Sequence, residues 1–237
     1  MIIHFKYMLR YLLFAIFLFR ACASLNTINL NATNFLTIRG SIDSTTSSKF
    51  IYELNKKKKK NETIVFIDSP GGSVESGNHI IMEIQKYNLS CIANRAYSMG
   101  FVILQSCNKR YMTQYGKLMQ HQISYGIMDE KEKIESYVNY ISQMDGILTD
   151  LQANKLNITS KLFKEKTYNE WWLFGQYAIT NNCVDELVHV TCDNELTKKN
   201  DSIKYTNYEK IYSKCPLIEL PLDTINFASK NFDFFTL

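Results

Sequence analysis

The segment "TIVFIDSPGG" (63–72) constrains the fold more than any other. Ile64 to Ile67 is apolar at every position and is stopped by Pro70, Gly71 and Gly72. A run with no alternation has no solvent-facing side. It reads as a strand buried on both faces, as in a parallel sheet covered by helices. Its flanks agree. "FLTIRGSI" (35–42) alternates apolar and polar residues around Gly40, which predicts a short strand and a turn, and a brief helical pattern follows to Asn55. Beyond the glycines, Val74, Ile81, Ile84 and Tyr87 recur at helical spacing, with Ser73 placed to cap that helix. "SCIAN" (90–94) predicts a second buried strand, Ser98 to Gln105 a second buried helix, and "RYMT" and "LMQH" two further strands. Strand and helix in alternation imply right-handed crossovers and an α/β layer fold.

From Asp129 to Asn154 the pattern is one long amphipathic helix, with Asp129 and Glu132 as a capping box and Ile134, Tyr137, Val138, Ile141, Met144, Leu148 and Leu151 on one face. Two shorter helices (159–166 and 173–180) and a strand (184–190) complete the domain. Residues 193–237 give no assignable pattern, and the chain has no internal repeat. A chain of 237 residues, 46% apolar and 21% charged, buries one sizeable core, so one main domain is expected.

The first 23 residues have a basic start, an apolar stretch from Tyr11 to Phe19 and small residues up to Ala23, the layout of a secretory signal, with an uncleaved anchor or an organelle transit peptide as the competing readings. Asn-x-Ser/Thr sequons at Asn31, Asn61, Asn88, Asn157 and Asn200 fit a secreted or lumenal glycoprotein. The formal charge of +4 includes Lys6, Arg10 and Arg20; without those three, 24 basic side chains face 23 acidic ones. A nearly neutral body carries no electrostatic footprint for nucleic acid. The run Lys56 to Lys60 reads as a solvated loop. After the signal, Cys91, Cys107, Cys183, Cys192 and Cys215 remain, an odd set without CxxC spacing. That argues against a metal site and leaves room for a disulfide such as Cys192 to Cys215.

Three features carry chemistry. Ser98 follows a strand, and Met99 and Gly100 suit a tight turn into a helix, which would expose the hydroxyl; the competing reading is a helix cap. His121 ends the run "KLMQH" where a strand meets a loop; the competing reading is a structural histidine. In "SPGGS" two glycines after a buried strand let backbone N–H groups approach a ligand, as an oxyanion hole or an anion nest; the competing reading is a plain turn.

Jointly, "TIVFIDSPGGSVESG", "AYSMGFVILQSCNKRYM" and "LMQHQ" resemble the signature blocks of the proteolytic subunit of Clp-type serine proteases, in the family's order. The resemblance runs from "LTIRGSI" to about Val190. It implies a Clp/crotonase-like layered fold of ββα repeats over 24–192, with a parallel sheet core and a handle-like helix after the histidine. Residues 1–23 stand before it as the signal peptide, and 193–237 form an extension with no counterpart in the family.

The resemblance also implies a site: Ser98 as nucleophile, His121 as general base, and the N–H groups of Gly72 and Met99 as oxyanion-hole donors. Counting back from "CVDEL" and from Trp172 and Leu173, the family's aspartate position falls on Glu170, one methylene longer, with Asn169 as its rival. The function implied is hydrolysis of peptide or unfolded protein through an acyl-enzyme, in a homo-oligomeric ring, with no cofactor or metal. Family members take substrate from ATPase partners; the signal peptide argues for action without one. The shortened segment "ISYGIM" and Glu170 motivate the alternative, an inactive assembly or binding module of the same fold. A crotonase-type acyl-CoA enzyme is the third reading, and no CoA-binding signature supports it.

Overall fold

The computed structural model describes residues 25–204 and 206–227. The expected signal peptide lies outside them. Ten strands and seven helices alternate along the described chain: β1 (Asn26–Leu30), β2 (Phe35–Arg39), α1 (Ser44–Lys56), β3 (Ile64–Ser69), α2 (Val74–Tyr87), β4 (Ser90–Tyr97), α3 (Met99–Ser106), β5 (Arg110–Gln120), α4 (Lys131–Leu156), α5 (Ser160–Lys166), β6 (Trp171–Phe174), α6 (Gln176–Thr180), β7 (Glu186–Cys192), α7 (Asn194–Lys198), β8 (Asn200–Lys204), β9 (Tyr208–Ser213) and β10 (Asp223–Asn226). Seven strands form one sheet in the order β1-β7-β5-β4-β3-β2, parallel throughout except for β6, which runs antiparallel against the end of β5. This is a layered α/β architecture with a mostly parallel central sheet, as the sequence implies.

The apolar run of β3 behaves as its composition requires: Val65, Phe66 and Ile67 are fully buried, between β2 and β4. Ser73 caps α2 by accepting the Ser76 N–H at 3.2 Å. Every residue of α3 from Met99 to Gln105 is buried, because a helix apolar all round has to be covered on all sides. Helices α1 to α4 enclose the larger core, which includes Ile38, Ile80, Phe101 and Leu148.

Four expectations need correction. "RYMT" and "LMQH" are one strand, β5. Its first part pairs with β7 and its last part with β6, so an exposed stretch at Gln114 and Tyr115 interrupts the apolar pattern where the partner changes. The helix expected over 173–180 is strand β6 followed by the shorter α6; Trp171 and Leu173 are buried while Trp172 and Phe174 are exposed, the period-two pattern of a strand. The long helix starts at Lys131 behind Glu130, which makes no side-chain cap, so the capping box of Asp129 and Glu132 is not formed. Finally, the unassigned C-terminal segment is structured: α7 leads into a three-stranded antiparallel sheet, β10-β9-β8. It is held to the end of β7 by a Cys192–Cys215 disulfide, and Arg39 reaches across to donate to the Pro216 carbonyl at 2.8 Å.

Candidate active site

Strand β4 delivers the chain into Ser98, which has φ 52° and ψ −119°. A serine at positive φ is held there only when its surroundings insist. Here the Ser98 N–H donates to the Met119 carbonyl of β5 at 2.9 Å, and the Ser98 carbonyl accepts from Phe101 and Val102, which starts α3. Ser98 therefore occupies the cap position of α3, yet its side chain caps nothing. Its Oγ instead lies 2.8 Å from Nε2 of His121. Ser98 and His121 thus form a hydroxyl–imidazole pair.

His121 stands just past β5. Its backbone N–H donates to Oε1 of Gln120 at 3.2 Å, Gln120 Nε2 donates to Oε1 of Gln152, and Gln152 Nε2 donates to the Leu148 carbonyl at 2.8 Å. Gln120 is 5% and Gln152 3% exposed. A buried amide pair with these partners ties the end of β5 to helix α4 beneath the histidine. Sequence reasoning missed both glutamines; the available signal was a polar residue breaking an apolar stretch on each element.

The glycine loop closes on the same elbow. A Cβ on Gly71 would come within 2.7 Å of the Ser98 Cβ and 3.1 Å of the Met99 nitrogen, and one on Gly72 within 2.3 Å of the Ile42 carbonyl, so only glycine fits at either place. Ile42 bridges Gly72 in parallel fashion: Ile42 N–H donates to the Gly71 carbonyl, and the Ile42 carbonyl accepts from Ser73. In such a bridge the flanking residues make the bonds, which leaves the Gly72 N–H directed to the other side. Met99 is the first residue of α3, where a helical N–H has no intrahelical partner. Buried Ser69 braces the loop, donating to the Gly40 carbonyl at 2.6 Å and accepting the Gly71 N–H at 3.0 Å.

Beside the pair opens a cavity of about 390 Å³, lined by Gly72, Ser98, Met99 and His121 and walled by Leu148 and Phe163 of α4 and α5. Asp145 and Lys164, an ion pair at 3.0 Å, stand on its rim. The elbow is also stapled covalently: Cys91 in β4 and Cys107 at the end of α3 form a disulfide that brackets Ser98. Cys183, the free cysteine among the described residues, is no rival nucleophile, because burial pushes its thiol up to about 12. Among the described residues no group of three or more His, Cys, Asp or Glu side chains is gathered to hold a metal ion.

Glu170 is exposed, and its Oε2 accepts the indole N–H of Trp172 at 2.9 Å. Among the described residues no carboxylate is hydrogen-bonded to His121. The structure thus brings Ser98, His121, Gly72 and Met99 together and leaves Glu170 bonded to Trp172. Asn169 is exposed as well.

The family model for Clp protease matches residues 23–191. This chain belongs to the Clp protease family. Among curated relatives, the ATP-dependent Clp protease proteolytic subunit 2 of Bifidobacterium longum is 27% identical over 135 residues, covering 54% of this chain and 65% of the relative. The subunit of the same description from Tropheryma whipplei is 27% identical over 139 residues, with 56% and 77% covered. That from Pseudomonas aeruginosa is 28% identical over 129 residues, with 52% and 64% covered. The chain therefore spans slightly less than two thirds of the first and third of these Clp subunits. Within the Clp domain, α4 is the handle-like helix, and the sheet β8 to β10 follows the matched residues.

Proposed function

We propose that this Clp family member is a serine peptidase that cleaves peptide bonds through an acyl-enzyme on Ser98. Family membership supports a peptidase; the observation that carries the finer reading is the 2.8 Å contact between Ser98 Oγ and His121 Nε2 on a backbone elbow at positive φ. In this mechanism His121 Nε2 takes the Ser98 proton as Oγ bonds to the scissile carbonyl carbon. The carbonyl oxygen becomes an oxyanion that the Gly72 and Met99 N–H groups stabilise. The imidazolium returns its proton to the leaving amine as the C–N bond breaks, and water repeats the sequence to release the acid. Glu170 is the proposed acid that orients His121. Such donors act where charge develops only in the transition state, and losing one costs about 10²- to 10³-fold in kcat.

The same reading makes the enzyme a homo-oligomer of the secretory pathway that takes peptides or unfolded protein without an ATPase and carries glycans at its sequons. The disulfides Cys91–Cys107 and Cys192–Cys215 support an oxidising compartment. Purified protein, incubated with unfolded casein and short peptides without nucleotide, is expected to release fragments at a rate unchanged by ATP and a Clp ATPase. Cleavage only in the presence of the ATPase would overturn ATP independence. That no carboxylate is hydrogen-bonded to His121 among the described residues favours a second reading, a non-catalytic assembly module; no cleavage under either condition, from an intact oligomer, would establish it.

A further inference from the structure

Strand β6 pairs antiparallel with β5 in one continuous register: Lys117 with Phe174, Leu118 with Leu173, Met119 with Trp172 and Gln120 with Trp171. Both strands end at that last pair, and the same register carried one residue further would set His121 opposite Glu170. Side chains directly across an antiparallel pair share a face, with Cβ atoms about 4.5 to 5.5 Å apart, which is within the reach of a glutamate. Trp172, two residues on from Glu170, lies on that same face. Its indole N–H donates to Oε2 of Glu170 at 2.9 Å, and its ring packs edge-on against Tyr97, the residue before Ser98, with centroids 5.1 Å apart. Oε1 of Glu170 has no partner among the described residues.

We propose that Trp172 is a positioning residue for the reaction: its indole N–H anchors one oxygen of Glu170 and so presents the other to Nδ1 of His121. This rests on the serine-peptidase reading above. The physical need comes from the acid itself. A glutamate has one more rotatable bond than an aspartate, so a carboxylate at this exposed position spends most of its rotamers facing solvent unless something fixes it. The indole does so with a single N–H, and the Tyr97 contact fixes the indole in turn. Phenylalanine at this position would keep the ring packing and lose the donor. The sheet, the packed ring and the carboxylate thereby form one unit from the residue before Ser98 to Glu170.

The test uses W172F, E170Q and the double variant of the full chain, each checked for an unchanged melting temperature. The pH dependence of the second-order rate of inactivation by a fluorophosphonate is recorded for each. W172F is expected to lower the plateau rate roughly tenfold, because the carboxylate that orients the imidazole is no longer fixed. E170Q does the same or more, and the double variant matches E170Q alone, since both substitutions remove one interaction. A second readout needs no activity: the far-downfield proton resonance of the His121 ring, present in the wild type and lost in both single variants. If W172F leaves both the rate profile and the resonance as in the wild type, or if the effects of W172F and E170Q multiply, the positioning role is wrong while the serine-peptidase reading stands. If the wild type is never labelled but the resonance responds as described, the peptidase reading fails and the arrangement of Trp172, Glu170 and His121 stands.

Discussion

Replacing His121 with alanine is expected to lower peptide turnover by roughly 10⁴- to 10⁶-fold, equivalent to about 5 to 8 kcal/mol of transition-state stabilisation. The serine hydroxyl is a poor nucleophile without a base, and among the described residues the one side-chain partner of Ser98 Oγ is His121 Nε2 at 2.8 Å. Stability should hardly change. His121 is partly exposed at the end of β5, and the backbone of the elbow is held from the other side, by the Ser98 N–H on the Met119 carbonyl. Steady-state hydrolysis of a peptide substrate beside a thermal melt separates the two effects. A large fall in the melting temperature would mean that the histidine holds the elbow together instead of activating it.

Replacing Arg110 with alanine should have the opposite profile: a large loss of stability from a residue that never meets the substrate. Arg110 is 3% exposed, at the start of β5. Its guanidinium donates to the Asp185 carboxylate, to Gln105 Oε1 at 2.8 Å and to the Asn182 carbonyl at 2.7 Å, and its backbone N–H donates to Asp185 at 2.7 Å. Truncation leaves the buried Gln105 Oε1 and the Asn182 carbonyl without this donor, takes the guanidinium from Asp185 while its bond to the Arg110 backbone N–H remains, and empties the space the side chain filled, which together costs about 3 kcal/mol. For a chain of this size that is a fall in Tm on the order of 10 °C. The pH dependence follows from Asp185. Burial raises its pKa, but the side-chain and backbone donors of Arg110 outweigh that and hold it below the usual carboxylate value. A depressed folded pKa gives stability that is complete above the unfolded value near about 4 and is lost as pH falls through the folded one. The wild type should therefore lose this contribution only in acid, and R110A should show a flatter acid limb in melting curves.

Much of the site was legible because its residues sit where the alternation of strands and helices changes. "SPGG" ends the most buried strand, and Ser98 and Met99 straddle the junction between β4 and the wholly apolar start of α3. What could not be read was conformation. Nothing in "AYSMG" declares that Ser98 takes a positive φ, since that is enforced by Met119 from another strand. Strand β5 was read as two because its partner changes midway, leaving Gln114 and Tyr115 exposed between the two pairings. The helix expected from Leu173 overlaps only the second half of β6, because "WWLF" has no period in sequence that decides between helix and strand, and pairing with β5 makes it a strand. The C-terminal sheet escaped because much of what holds it is nonlocal: the Cys192–Cys215 link, and Arg39 reaching Pro216 from β2. For Glu170, counting along the chain picks a position, and what could not be read from the sequence is that the Trp172 indole holds its carboxylate.

The central claim is that Ser98 is a nucleophile activated in the folded protein, and covalent capture tests it most directly. The purified chain is treated with a fluorophosphonate, its intact mass is measured, and the modified peptide is sequenced. A single adduct on Ser98, absent from Ser98→Ala and from heat-unfolded protein, is the expected result. Equal labelling of wild type and Ser98→Ala, or no adduct on folded wild type, would contradict it.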